Sequence, residues 1–100
     1  MATLLNESFL CVQERIATVE DIDTACVAGL GMAVREGQDR TPIGPLAYAD
    51  RCGLDVLLRR LWMFEETLGA RFAPAPILEQ KVAAGDVGVL SGRGFRTYGA

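Results

Sequence analysis

The sequence contains no histidine, which is the most common catalytic base and metal ligand in proteins. The three cysteines, Cys11, Cys26 and Cys52, are an odd number and match no zinc-binding spacing. We therefore predict no metal site, and we expect the cysteines to be small hydrophobic residues in a reducing compartment. Lysine and arginine form no basic run and the net charge is −3, so the sequence predicts no nucleic-acid binding.

The chain also lacks a long apolar segment. No run approaches the ~18 residues of a membrane-spanning helix, and the first residues lack the charged segment of a signal peptide. We therefore expect a cytoplasmic protein with no membrane contact. Half of the residues are apolar, and the mean hydropathy is +0.21. This composition predicts a single folded domain over residues 1–100, with enough apolar surface to suggest an interface.

The first two predicted helices follow from apolar spacing and from a capping residue. Residues 4–16 place an apolar stripe on one face and direct Asn6, Gln13 and Glu14 outward. Thr18, with Asp21 three residues later, predicts the start of a second helix over 19–28 that ends at Gly29. The residues predicted to be buried are, in the first helix, Leu5, Phe9, Val12 and Ile16 and, in the second, Ile22, Ala25, Cys26 and Val27.

The rest of the chain reads as three more helices and a tail. Residues 31–41 are polar and predict an exposed loop. Pro45 starts a short helix that ends at Gly53. The strongest helical pattern covers 54–68 and ends at Gly69. Pro76 starts a last helix over 77–84. The tail, 85–100, is too rich in glycine for a helix, and we expect Phe95 and Tyr98 to anchor it. The predicted fold class is all-α: about five short packed helices and an extended glycine-rich tail.

No set of residues forms a complete active site. Gly29-Leu30-Gly31 begins like a dinucleotide-binding fingerprint but lacks the third glycine and the preceding strand. The serines and cysteines have no histidine to activate them. Asp21 and Asp23 fit capping better than catalysis. We therefore predict no catalytic residue, and no cofactor bound by this chain itself.

Eight short motifs occur in a fixed order along almost the whole chain. They are Leu-Asn-Glu at 5–7, Glu-Asp-Ile-Asp-Thr-Ala at 20–25, Gly-Leu-Gly at 29–31, Pro-Ile-Gly-Pro at 42–45, Ala-Asp at 49–50, Gly-Leu-Asp at 53–55, Arg-Phe at 71–72 and Gly-Arg-Gly-Phe at 92–95. In this order they resemble the C-terminal domain of NAD-dependent 3-hydroxyacyl-CoA dehydrogenases. The resemblance implies a helical fold like that of the C-terminal domain of 6-phosphogluconate dehydrogenase.

The resemblance also implies a role. Enzymes of this family join an N-terminal Rossmann domain, which binds NAD and carries the catalytic His and Glu, to a helical domain. The helical domain forms most of the homodimer interface and closes one wall of the acyl-CoA cleft. By this resemblance Pro42, Ile43 and Gly44 line the substrate cleft, although a tight turn before a helix explains the same residues. Trp62, Phe64 and Phe95 are expected to be core or dimer contacts.

Four departures from the family pattern bear on function. The Rossmann domain is missing, and the family's Asn-Arg pair would precede residue 5. The segment between Gly31 and Pro42 is longer than the common pattern, and Val89-Leu90 replaces a basic pair. These departures put independent catalysis and the identity of the substrate in question.

Three functions are compatible with the sequence. The first is a helical dimerisation and substrate-cleft subunit that acts with a separate NAD-binding Rossmann chain in the oxidation of 3-hydroxyacyl-CoA. The second is a non-catalytic, stand-alone dimerisation or acyl-CoA-binding module. The third is a relative that acts on a hydroxy acid without CoA.

Overall fold

The structure, a computed structural model, describes residues 2–98 except the side chains of Ala2, Thr3 and Glu36. Its elements in chain order are α1 (Ala2–Gln13), α2 (Val19–Leu30), β1 (Ala33–Glu36), β2 (Asp39–Pro42), α3 (Pro45–Cys52), α4 (Leu54–Leu68) and α5 (Pro76–Ala83), with 3₁₀ turns at Ala70–Phe72 and Val89–Ser91. The five helices confirm the predicted helical fold of about five helices, and the short hairpin is the one departure from the predicted all-α class. None of the helices in this part of the chain is long and apolar enough to cross a membrane.

Helix α2 begins where the sequence predicts and ends later. The backbone N–H of Asp21 donates to the Thr18 hydroxyl at 3.1 Å, which confirms Thr18 as the N-cap. The predicted end at Gly29 is wrong, because Gly29 lies inside the helix. The left-handed cap is Gly31, whose N–H donates to the carbonyls of Cys26 and Val27.

The segment predicted as an exposed loop is instead a β-hairpin. Strands β1 and β2 pair antiparallel, with Ala33 opposite Pro42 and Arg35 opposite Arg40. Gly37, at φ 62°, begins the two-residue turn between the strands. The prediction was wrong because the residues of β2 are all exposed, so the apolar alternation that marks a half-buried strand is missing.

The core lies where α1, α3, α4 and α5 meet. Its buried apolar members are Leu5, Phe9, Leu46, Ala49, Leu54, Leu57, Leu58, Leu61, Ala75 and Leu78. Helix α4 has the predicted boundaries and buries the first four leucines of its predicted stripe. Pro45 opens α3, Gly53 caps it, and Pro76 opens α5, as predicted.

Several predictions of burial in α1 and α2 are wrong. Ile16 is 68% exposed, because α1 ends at Gln13 and the chain turns through Arg15 at φ 57°. Asn6 is buried rather than exposed: its amide donates to the Ala73 carbonyl and accepts from the Ala75 N–H, both at 2.8 Å. In α2, Ala25 is exposed, Ile22, Cys26 and Val27 are only partly buried, and the fully buried residue is Asp23.

The tail packs on the helical body through its aromatic residues. The Phe95 ring stacks on Phe9 with centroids 4.9 Å apart, and the Tyr98 hydroxyl binds Asp50, so both predicted anchors are confirmed. The tail is not simply extended, because it contains the turn Val89–Ser91 and an isolated bridge between Gly88 and Arg93. Residues 99–100 of the predicted tail lie outside the described residues.

Candidate functional site

The structure brings the three predicted substrate-binding residues together on one surface pocket. Pro42, Ile43 and Gly44 form the link between β2 and α3. They line a depression of about 380 Å³ with residues from α2, α3 and the tail: Asp23, Thr24, Val27, Ala28, Ala47 and Arg96. The predicted residues thus share one pocket with a charged pair that the sequence did not reveal.

Gly44 is required by its close approach to α2. A Cβ atom at this position would lie 2.4 Å from the Asp23 Cα and Cβ atoms, which is far inside contact distance. The Asp23 carboxylate accepts hydrogen bonds from the Leu46 N–H at 2.7 Å and the Ala47 N–H at 3.1 Å. Asp23 therefore caps the N-terminus of α3 from a neighbouring helix, in the place of a capping side chain at Gly44. This geometry supports the alternative reading of Gly44 as part of a tight turn before a helix.

Arg96 completes the pocket from the tail. Its Nη2 and Nε atoms donate to Asp23 Oδ2 at 2.9 and 3.2 Å. The hydrogen bond to Asp23 is the main cause that raises the pKa of Arg96. The Asp23 side chain is 7% exposed and that of Arg96 is 33% exposed. The positive charge in the pocket is therefore already paired with a buried negative charge.

A second buried carboxylate, Asp50, holds the tail in place. It is 1% exposed and accepts hydrogen bonds from the Phe95 N–H at 2.8 Å, the Arg96 N–H at 2.9 Å and the Tyr98 hydroxyl at 2.7 Å. Gly94 allows this approach, because a Cβ atom there would lie 2.2 Å from Asp50 Oδ1. Burial, and then the hydrogen bond to Asp50, raise the pKa of Tyr98 well above its usual range.

The sequence reasoning missed Asp23, Asp50, Arg96 and Tyr98 as a connected network. Two motifs carried the signal: the Ala-Asp at 49–50 and the glycines that precede Phe95. The sequence does not show that Asp50 contacts the glycine-rich turn before Phe95, because the two are far apart along the chain and only the fold brings them together. The network links α2, α3 and the tail around the pocket, and its carboxylate oxygens are occupied by donors.

The charged groups that line this pocket are Asp23 and Arg96, which bind each other. Among residues 2–98 no group of three or more His, Cys, Asp or Glu residues is arranged to hold a metal ion. The incomplete glycine fingerprint at 29–31 also does not form a dinucleotide site. Gly29 lies within α2, and the Gly31 N–H is consumed by the carbonyls of its own helix, so neither offers a free amide to a phosphate.

An apolar groove of about 470 Å³ opens between α1, α3, α4 and the turn at Ala70–Phe72. Its apolar lining is Leu5, Phe9, Leu57, Leu61, Phe64, Leu68 and Phe72, and its polar edge is Tyr48, Cys52 and Arg60. A hydrogen bond with Cys52 is the main cause that raises the pKa of Tyr48. Outside the groove, α4 exposes Trp62 (47%) and Met63 (65%).

Comparison with known proteins identifies a family. Residues 1–98 match the model of the 3-hydroxyacyl-CoA dehydrogenase C-terminal domain. The chain is 46% identical over 88 residues to a 3-hydroxybutyryl-CoA dehydrogenase of Mycobacterium tuberculosis, which covers 87% of this chain and 28% of that protein. It is 41% identical over 96 residues to a probable 3-hydroxybutyryl-CoA dehydrogenase of Bacillus subtilis, which covers 95% of this chain and 30% of that protein.

A solved structure gives the same result. The crystal structure of (S)-3-hydroxybutyryl-CoA dehydrogenase from Ralstonia eutropha superposes with a TM-score of 0.85 at 33% identity, over 99% of this chain and 32% of the other. The chain thus spans about a third of the length of these relatives. The family consists of NAD-dependent dehydrogenases. The resemblance seen in the sequence is confirmed, and the chain belongs to the 3-hydroxyacyl-CoA dehydrogenase family as a C-terminal domain.

Proposed function

We propose that this chain is the helical dimerisation and substrate-cleft component of a 3-hydroxyacyl-CoA dehydrogenase. It acts with an NAD-binding Rossmann domain in the oxidation of 3-hydroxyacyl-CoA. The observation that supports this proposal is the similarity to one third of a 3-hydroxybutyryl-CoA dehydrogenase over 99% of this chain. The proposal assigns the chemical step to the Rossmann domain, because the described residues offer no activated nucleophile and no free acid–base pair.

The contribution of this chain to the cleft is the wall formed by Pro42, Ile43 and Gly44. Asp23 holds these three residues in position, because its carboxylate accepts two backbone hydrogen bonds from the first turn of α3, which directly follows them. Ile43 is the residue of the three with a large apolar side chain, and it is half-buried beside the pocket. Replacing it therefore changes the surface offered to a substrate without removing a hydrogen bond of the network.

The exposed apolar side chains of α4 support homodimer formation. Trp62, Met63 and Leu68 are 47%, 65% and 55% exposed, and three large apolar side chains on one helix favour a protein interface. The same observation favours a second candidate function, a stand-alone dimerisation module. The two candidates differ in whether a Rossmann partner and activity accompany the dimer.

The test is an affinity pull-down of the tagged chain, together with the proteins bound to it, from its native cell. Mass spectrometry identifies the captured proteins, and the eluate is assayed for NADH oxidation with acetoacetyl-CoA. A Rossmann-domain protein together with activity would support the proposal. Recovery of this chain alone, as an inactive dimer, would contradict it in favour of the stand-alone module.

Two pairs of variants sharpen this test. Ile43→Ser should raise the KM for acetoacetyl-CoA, whereas Ile16→Ser, at a position 68% exposed, should leave it unchanged. Met63→Glu should shift the sedimentation of the chain toward a monomer. The control is Gln80→Glu, which adds the same charge at an exposed position of α5. If Ile43→Ser and Ile16→Ser behave alike, the wall is not part of the substrate site. Activity on free hydroxy acids but not on thioesters would assign the complex to a substrate without CoA.

A further inference from the structure

The hairpin formed by β1 and β2 stands beside the candidate pocket. The residues of β2 are all exposed, and a two-stranded hairpin by itself is only marginally stable in water. Its base is nevertheless fixed. The Ile43 N–H donates to the Met32 carbonyl at 3.3 Å, and Pro42 belongs both to β2 and to the wall of the pocket. The hairpin is therefore held where it can reach a ligand that extends out of the pocket.

One face of this hairpin carries two arginines directly opposite each other. Arg35 and Arg40 are register partners, which places their Cβ atoms on the same face and about 5 Å apart. Like charges in this position destabilise a strand pair. Successive pairs face opposite sides of a hairpin, so Asp39, in the next pair, faces away from them. Pro42 is two residues from Arg40 and shares its face, so the basic face continues toward the pocket.

Most of the hydrogen-bond donors of this arginine pair are open. Arg40 donates through Nη2 to the Gly31 carbonyl, at the C-terminal end of α2, where a positive charge is favourable. Arg35 is exposed, and within the described part of the chain its guanidinium has no acidic partner. Each guanidinium has five N–H donors. The single bond that holds Arg40 therefore orients it and leaves the pair free to bind an anion.

We propose that Arg35 and Arg40 form a clamp for a phosphate group at the nucleotide end of the thioester substrate. The inference rests on the function proposed above and adds a binding site to it. Two guanidinium forks match the geometry of a phosphate, and a bound phosphate removes the repulsion between them. The pocket itself offers no alternative cation, because Arg96 is paired with the buried Asp23.

The dimensions of the pocket support this placement. Its volume of about 380 Å³ is near the lower end for small-molecule sites, so a substrate that carries a nucleotide must extend beyond it. The hairpin is the element that adjoins the pocket at Pro42, and its basic face offers the extended part a phosphate partner. A phosphate of the dinucleotide cofactor has the same chemistry, so the experiment must separate the two sources.

The test compares substrates with and without the nucleotide. The complex of this chain with its NAD-binding partner is assayed with acetoacetyl-CoA and with S-acetoacetyl-N-acetylcysteamine, which keeps the thioester and lacks every phosphate. We expect Arg35→Gln/Arg40→Gln to raise the KM for acetoacetyl-CoA about tenfold or more, because each arginine makes charge-assisted bonds, with kcat unchanged. The KM for the truncated thioester should not change. Arg59→Gln, at an exposed position of α4, is the control for the loss of a positive charge.

Direct binding to the chain alone provides a readout that does not depend on activity. CoA, 3′-dephospho-CoA, NADH and inorganic phosphate are titrated into the protein, and the arginine Nε–H signals are followed by NMR. Shifts of the Arg35 and Arg40 signals with CoA, weaker with 3′-dephospho-CoA, would support the clamp even if the complex were inactive and the proposed function had failed. No shift with CoA, or an equal rise in KM for both thioesters, would overturn it. If Arg35→Gln/Arg40→Gln raised only the KM for NADH, the two arginines would bind a phosphate of the cofactor, and the proposal that they bind the thioester substrate would be overturned.

Discussion

The hydrogen bonds that converge on Asp50 make a quantitative prediction for the variant Asp50→Asn. The asparagine side chain has nearly the same size, so the core geometry is preserved and only the acceptor capacity changes. In either orientation of the new amide, a backbone N–H, that of Phe95 or of Arg96, faces an NH₂ group instead of a carboxylate oxygen. The Tyr98 hydroxyl can rotate to accept a bond, but a backbone N–H cannot.

The expected cost follows from these contacts. A buried donor that loses its acceptor costs about 1–3 kcal/mol, and the bonds that remain change from charge-assisted to neutral, which removes about 1 kcal/mol more. We therefore expect Asp50→Asn to lower the free energy of unfolding by about 3 kcal/mol. A small domain has a total of about 5–15 kcal/mol, so the variant should fold but be clearly weakened. With a urea m-value of about 1–3 kcal/mol/M, the midpoint should fall by about 1–3 M.

The assay is urea denaturation followed by circular dichroism, with Asp39→Asn as the matched control because Asp39 is exposed on the hairpin. The control should change stability by less than about 0.5 kcal/mol. Tyr98→Phe alone should cost about 1–2 kcal/mol, and the double variant should cost less than the sum, because both changes affect the same bond. A cost for Asp50→Asn no larger than that of Asp39→Asn would refute the view that this carboxylate holds the tail on the helices.

Three further predictions concern the turn, the cap and alkaline pH. Gly44→Ala should destabilise the domain by at least about 2 kcal/mol, because its Cβ meets α2, whereas Gly29→Ala, with nothing within 4 Å, should stabilise it by about 0.5–1 kcal/mol in the same denaturation assay. Thr18→Ala should cost about 1 kcal/mol by loss of the N-cap, seen as a lower melting temperature; no change would contradict the cap. The pKa of Tyr98 is raised in the folded state, so its contribution to stability is complete below the unfolded pKa of about 10 and is lost as the pH rises further. The urea midpoint should fall as the pH rises above about 10, and it should fall less steeply in Tyr98→Phe. An equal pH dependence in the two proteins would contradict the role assigned to Tyr98.

Local signals in the sequence were sufficient for most helix boundaries. Thr18 caps α2, Pro45 and Pro76 open α3 and α5, and Gly69 ends α4, all as predicted. Each of these signals acts on backbone groups within about one helical turn, so it works in any fold. Gly29 misled the prediction because the left-handed conformation that ends the helix belongs to Gly31, two residues later.

The candidate site was predicted only in part. The resemblance of the motif at 42–45 to the family pattern selected Pro42, Ile43 and Gly44, and the structure places these residues in one pocket. The charged residues around that wall were not predicted as a site. The hairpin was also missed, since every residue of β2 is exposed and the clearest signal in the sequence is the turn glycine Gly37.

The helical class, the helix starts and the family can be predicted from the amino-acid sequence, because they depend on local backbone chemistry and on the order of short motifs. The burial of particular polar side chains instead depends on contacts between distant segments. Asn6 binds a carbonyl 67 positions away, Asp50 binds an amide 45 positions away, and Asp23 caps a helix 23 positions away. A polar residue in an amphipathic pattern normally faces water, and it is stable inside only when a distant segment brings the donors that compensate its burial.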